Sequence, residues 1–170
     1  MSDSLFLVQL GLRYLHIYGA IALFGGSLFA RFAVVPTLAT LSEDDRRKLH
    51  EQIRSRWGKF VHIAVAAVLI SGIANLGLAS QYDFEPRIYN MLAGIKFLLA
   101  LPIFFFASML VGRSETAAKF QKEAGKWLTV NIILAVIIVL IGGVLKFVER
   151  KPKAKPATSQ VEQVERTFIR

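Results

Sequence analysis

The chain contains no cysteine. Disulfides, thiolate metal centres and the thioether attachment of a c-type haem are therefore excluded together. Acidic residues are absent where they would matter most. No Asp or Glu lies in any of four long apolar blocks, residues 5–35, 60–79, 88–111 and 127–148. There is no Walker-type phosphate loop and no dinucleotide-type glycine pattern. The glycine pairs Gly25-Gly26 and Gly142-Gly143 lie inside apolar blocks, where small residues let helix backbones approach. They are expected to pack the first helix against the fourth. No basic segment precedes the first block, whose only early charge is Asp3, and its apolar run is too long for a signal peptide. It reads as a retained helix.

What remains is strongly apolar. Hydrophobic residues make up 54% of 170 residues, one domain's worth. Each block supplies the roughly 20 apolar residues that cross a hydrocarbon core of about 30 Å. Stretches such as VNIILAVIIVLIGGVL lack the polar face that a soluble helix repeats about every 3.6 residues. The expected fold class is all-α: an integral membrane, up-down four-helix bundle in one domain, 1–150. Its helices are expected at about 5–36, 43–80, 87–112 and 115–149, with a short basic polar tail, 151–170. Ser42 ahead of Asp44 and Asp45 reads as the N-cap of a polar extension leading into the second helix. Trp57 and Trp127 stand where polar segments meet apolar ones, as interface anchors do. Pro86 marks a short turn between the second and third helices, and Pro102 predicts a kink or lost backbone bonding in the third.

The formal net charge is +9. In a membrane chain this points to lipid headgroups rather than nucleic acid, and the lipid bilayer is the expected partner. Arg46, Arg47, Lys48, Arg54, Arg56 and Lys59 lie in the first link, and Arg113, Lys119, Lys122 and Lys126 in the third. The second link holds only Arg87. The positive-inside rule then places both basic links in the cytoplasm of a bacterial inner membrane, with both termini outside. Arg150, Lys151, Lys153 and Lys155 count against this orientation.

Chemistry is expected at the few ionisable residues at membrane depth. His16 on the first helix and Lys96 on the third reach a common level, about 12–16 Å from one face at a rise of ~1.5 Å per residue. Arg13 sits one turn from His16. Several cations do not share a dry interior without an anion, and these apolar blocks provide none. A porphyrin supplies the missing kind of partner: imidazole binds its iron and Arg or Lys holds its propionates. His16 is thus the candidate metal ligand, with Arg13, His16 and Lys96 as the cofactor-binding set, haem b as the cofactor and Lys96 or water as second ligand. Two plainer alternatives stay open. Lys96 and Arg13 snorkel to the interface, or His16 is a packed histidine bonded to a neighbouring helix's carbonyl. His62 is placed about 20 Å from His16 along the membrane normal, too far to share an iron with it. His50 is expected in solvent.

The first-helix segment LHIYGAIALFGGSLFARFAVVP, with His16, Gly25-Gly26, Arg31 and Pro36, resembles the first helix of the CopD-like membrane domain and of the related HemJ-type protoporphyrinogen oxidases. RRKLHEQIRSRWGKF with Ser71-Gly72 is similar to their second helix, and NMLAGIKFLLAL to their third, with Lys96 at the family's lysine. The likeness covers residues 8 to 110. It departs at Leu23-Phe24, where a tryptophan is common, and at Ala93, where the HemJ type often has a histidine. The resemblance implies haem or porphyrin binding, with electron transfer or porphyrinogen oxidation, or else copper uptake or resistance. Cu(I) favours sulfur ligands, and the chain offers only Met1, Met91 and Met109, so haem or porphyrin ranks first. A structural subunit of a homo-oligomer or larger membrane complex needs no site and remains a third reading.

Overall fold

A computed structural model of the chain describes residues 3–79, 82–84, 88–147 and 150–152. The first apolar block forms α1 (Asp3–Phe29), a π-helical turn (Ala30–Val34) and α2 (Val35–Ala39), which follow one another without a break. After three residues comes α3 (Glu43–Ala79), then β1 (Tyr82–Phe84), α4 (Ile88–Val111), α5 (Glu115–Lys122), α6 (Ala124–Lys146) and β2 (Arg150–Pro152). Four of these rods are long and apolar enough to cross a membrane. They form a ring in which α1 packs on α3, α3 on α4, α4 on α6 and α6 on α1. Among the described residues, the departure from helix is one antiparallel pairing of β1 with β2.

The outside of this ring is apolar. Tyr18, Phe32, Ile63, Leu98 and Val139 are each about two-thirds exposed, which a water-soluble bundle would not tolerate over so much surface. The buried centre is made of small and branched side chains: Leu23, Val61, Ala64, Val68 and Ala107, with Phe104 and Val111 packed against them.

Several local structures follow directly from residue chemistry. Ser42 caps α3, its hydroxyl accepting from the Asp45 amide at 3.3 Å. At 37 residues α3 is far longer than a bilayer core requires, and its first half is polar. The first helix does not stop at Pro36. The π turn just before it, with the Val35 N–H bonded to the Ala30 carbonyl, widens the helix where a proline ring would otherwise collide with the preceding turn. Pro102 lies inside α4, which continues on both sides.

The expected single helix 115–149 is divided. Ser114 caps α5 through the Ala117 amide at 3.1 Å, and the chain breaks at Glu123 (φ −109°, ψ 32°) before α6 starts. Phe106, Phe120 and Trp127 cluster across that break, with Phe106 and Trp127 stacked at 4.8 Å. Phe120 packs on Phe106 of α4 and Trp127 of α6, a contact that sequence pattern alone does not reveal. The Gln121 amide donates to the Gly112 and Met109 carbonyls at the end of α4, at 2.8 and 3.2 Å. Arg54 of α3 adds a guanidinium to Gly112 at 3.3 Å, where a helix C-terminus favours positive charge.

The glycine expectation is corrected. Gly25 and Gly143 face open space, and Gly142 faces Lys96. Gly26 lies under the Trp57 indole, where an added Cβ would sit 2.6 Å from Cζ2. The closest helix approach is at Gly19, whose Cβ would meet Val68 Cγ2 at 2.7 Å and the Ala64 carbonyl at 3.2 Å. Helix pairing through glycine is therefore between α1 and α3, not between α1 and α6. The Pro86 turn and the tail from residue 153 onward lie outside the described residues.

Candidate functional site

At the end of the bundle where α1 begins, α1, α3, α4 and α6 line an open cavity of about 300 Å³. His16 projects from α1 and Lys96 from α4, and both line it. Phe24, Leu76, Ala93, Phe97 and Ile138 supply apolar wall. No carboxylate lines the cavity among the described residues. Lys96 Nζ has no hydrogen-bond or ion-pair partner among them and lies beside Gly142, where a Cβ would make an ordinary contact with the nitrogen at 3.6 Å.

His16 is held by two contacts through one ring nitrogen. Nδ1 lies 3.2 Å from the Val68 carbonyl and 3.0 Å from Ser71 Oγ. A carbonyl only accepts, so Nδ1 carries the proton and donates. Ser71, fully buried, spends its own hydrogen on the Ala67 carbonyl at 2.5 Å and so accepts from His16. The tautomer follows: in the neutral ring Nε2 bears the lone pair, and it has no partner among the described residues. Gly72 completes the seat, since a Cβ there would approach His16 Cε1 at 3.4 Å. A histidine fixed through Nδ1–H with a bare Nε2 is the arrangement of a metal-ligating imidazole. The carbonyl bond is also the one a packed histidine makes, so the plainer alternative is met at Nδ1 and leaves Nε2 unexplained.

Protein-family models, curated proteins and solved structures yield no match to this chain.

The other candidates are placed differently. Arg13 is exposed and lines neither this cavity nor the second one described below. One turn along α1 rotates its side chain off the cavity face, so the expected three-cation cluster reduces to His16 and Lys96. His62 is exposed and donates Nδ1–H to the Gly58 carbonyl at 2.7 Å. His16 lies level with Val68 and Ser71, so His62 is six to nine residues away along α3, roughly 9–14 Å at 1.5 Å per residue. That is nearer than the 20 Å counted from opposite membrane faces, because the two helices are not flush. It is still too far for both imidazoles to reach one iron. His50 is half-buried. It lines a second cavity, of about 700 Å³, at the opposite end of the bundle.

Leu23, Ser27 and Asn131 line both cavities and form the layer between them. Ser27 donates to the Leu23 carbonyl at 2.8 Å and accepts from Asn131 Nδ2 at 3.3 Å. Since the Ser27 hydrogen is committed, the amide orientation is fixed and Asn131 Oδ1 points away without a partner, in a residue only 2% exposed. Ser71 belongs to the Ser71-Gly72 pair of the second-helix segment, and Asn131 stands in no motif. The available signal is that each is a strongly polar neutral group deep in an apolar block, which costs free energy unless bonded.

Proposed function

We propose that this chain spans a membrane as a four-helix bundle, with its basic links in the cytoplasm, and binds a haem or related porphyrin in the cavity between His16 and Lys96. One observation carries the reading. His16 is locked through Nδ1 by Ser71 and Val68; among the described residues, Nε2 has no partner, and the apolar cavity it faces contains a lysine without an ion-pair partner and no carboxylate. The donor set fits the group: Nε2 would hold the iron, and Lys96 would pair with a propionate or stand as a second ligand. The cavity lies at the small end of ligand sites, which run about 300–1,000 Å³. A bound haem would supply one-electron redox chemistry; the chain's part would be to orient the imidazole and balance the anionic edge. The CopD-like and HemJ-type resemblance rests on the sequence and names the same His16 and Lys96.

Titration of the purified protein with haemin tests this. A saturable Soret band is expected for the wild type and for His62→Ala, and its loss or shift for His16→Ala. No Soret change in the wild type on titration removes the reading and leaves a structural subunit in front.

A further inference from the structure

The cavity at the basic end of the bundle is built differently from the His16 cavity. Its interior is apolar, walled by Leu23, Val34, Leu38, Val61 and Leu128 with the Trp57 indole. Its mouth is cationic. Arg46, Arg47 and Arg54 of α3 and Lys122 of α5 line it with His50, against one carboxylate, Glu43. The acids that meet Arg46 and Arg47 do so weakly and leave those side chains available to a ligand. Arg46 and Glu43 are 3.9 Å apart and Arg47 and Asp44 3.4 Å, both exposed pairs on the same helix, which hold weakly. Arg54 is committed within the fold: it pairs with Glu51 and donates to the Gly112 carbonyl and the Gln121 amide oxygen.

Three available cations over an apolar shaft match an amphiphile with an anionic head and a hydrocarbon body. Nearby, Trp57 and the polar half of α3 mark the level at which headgroups meet acyl chains. A basic pocket between helices at that level binds phosphorylated lipid heads, where a scattered basic surface only concentrates them. We infer that this cavity is a specific site for an anionic phospholipid, its phosphate against Arg46, Arg47 and Lys122 and one acyl chain in the shaft beside Trp57. The occupant enters from the bilayer, and the site is separate from the His16 cavity, divided from it by Leu23, Ser27 and Asn131.

The chain has two tryptophans, so Trp127→Phe leaves Trp57 as the sole reporter in the cavity. The full-length variant is placed in phosphatidylcholine bilayers containing small fractions of acyl-brominated lipid, which quenches indole on contact. Brominated phosphatidylglycerol is expected to half-quench Trp57 at a mole fraction about fivefold or more below that of brominated phosphatidylcholine. Arg46→Gln, Arg47→Gln and Lys122→Gln together abolish that preference. Lys48→Gln, Lys119→Gln and Lys126→Gln, which remove equal charge outside the cavity, keep it. Inorganic phosphate at matched ionic strength does not relieve the quenching. Native mass spectrometry of the unsubstituted chain gives a reading independent of how the variants fold, with a phosphatidylglycerol retained where phosphatidylcholine is lost. Equal quenching by the two lipids, equal loss in both triple variants, relief by phosphate alone, or no retained anionic lipid overturns the inference.

Discussion

Replacing Ser71 with alanine removes one of the two acceptors on the His16 Nδ1 proton and leaves the Val68 carbonyl. Partners of this kind orient a ligating imidazole, and their loss weakens binding by about 10–100-fold. Ser71→Ala is therefore expected to lower haemin affinity by that factor in an optical titration, with far less effect on melting temperature. Unchanged affinity would detach Ser71 from the site. A second residue-scale test concerns Ser27 and Asn131. Ser27→Ala strands the buried Asn131 amide and is expected to cost roughly 1–3 kcal/mol, whereas Ser27→Ala with Asn131→Leu removes both partners and recovers most of it. Thermal unfolding of the single and double variants in detergent measures the difference. His16 and Lys96 were legible because ionisable groups in apolar runs are conspicuous. Arg13 looked equivalent to them, since three residues of helix is a small rotation on paper, yet it is enough to move a side chain from the cavity wall to the exposed face.

Among the elements, the close contact of α1 with α3 sets the tightest steric demand. Gly19→Ala forces a methyl group against Val68 and the Ala64 carbonyl and is expected to destabilise by about 1–3 kcal/mol. Gly143→Ala, at an open position, is expected to leave the melting temperature nearly unchanged. Equal effects at both positions would contradict this packing. The polar half of α3 predicts a pH dependence. Burial and the Arg54 cation lower the pKa of His50 below its ordinary 6.5, while Glu51 opposes them. The unfolded chain then binds the proton more readily than the folded one, so stability is full above the ordinary value and declines as pH falls below it. Melting temperature is expected to drop between about pH 7 and pH 5, and His50→Gln to flatten that drop. The four long rods and the Ser42 cap were readable from apolar blocks and a capping residue. The π turn and the break at Glu123 were not, because each depends on what the helix packs against. A proline near a helix end reads as a stop until a widened turn carries the chain past it, and the sequence around Glu123 is compatible with continuous helix until Phe120 docks on Phe106 and Trp127.

At the scale of the whole molecule, the bundle has two unlike ends, a basic one with a wide cationic cavity and one with a smaller apolar cavity containing His16 and Lys96. The charge asymmetry was plain in the link composition, but the cavities were not, since a void is a property of how four helices meet. The absence of cysteine makes single-cysteine variants clean reporters of orientation. With the basic links in the cytoplasm, a cysteine at position 84 is labelled from outside intact cells and one at position 47 is not; the reverse pattern would invert the topology. The central claim is that His16 binds a porphyrin iron. The most direct measurement is the pyridine haemochrome content of protein purified from cells supplied with ample haem precursor. The account predicts about one b-type haem per chain, one iron for its one imidazole at that level, and near-total loss in His16→Ala with His62→Ala unchanged. Haem absent from the wild type, or equally present in the His16→Ala protein, would contradict it.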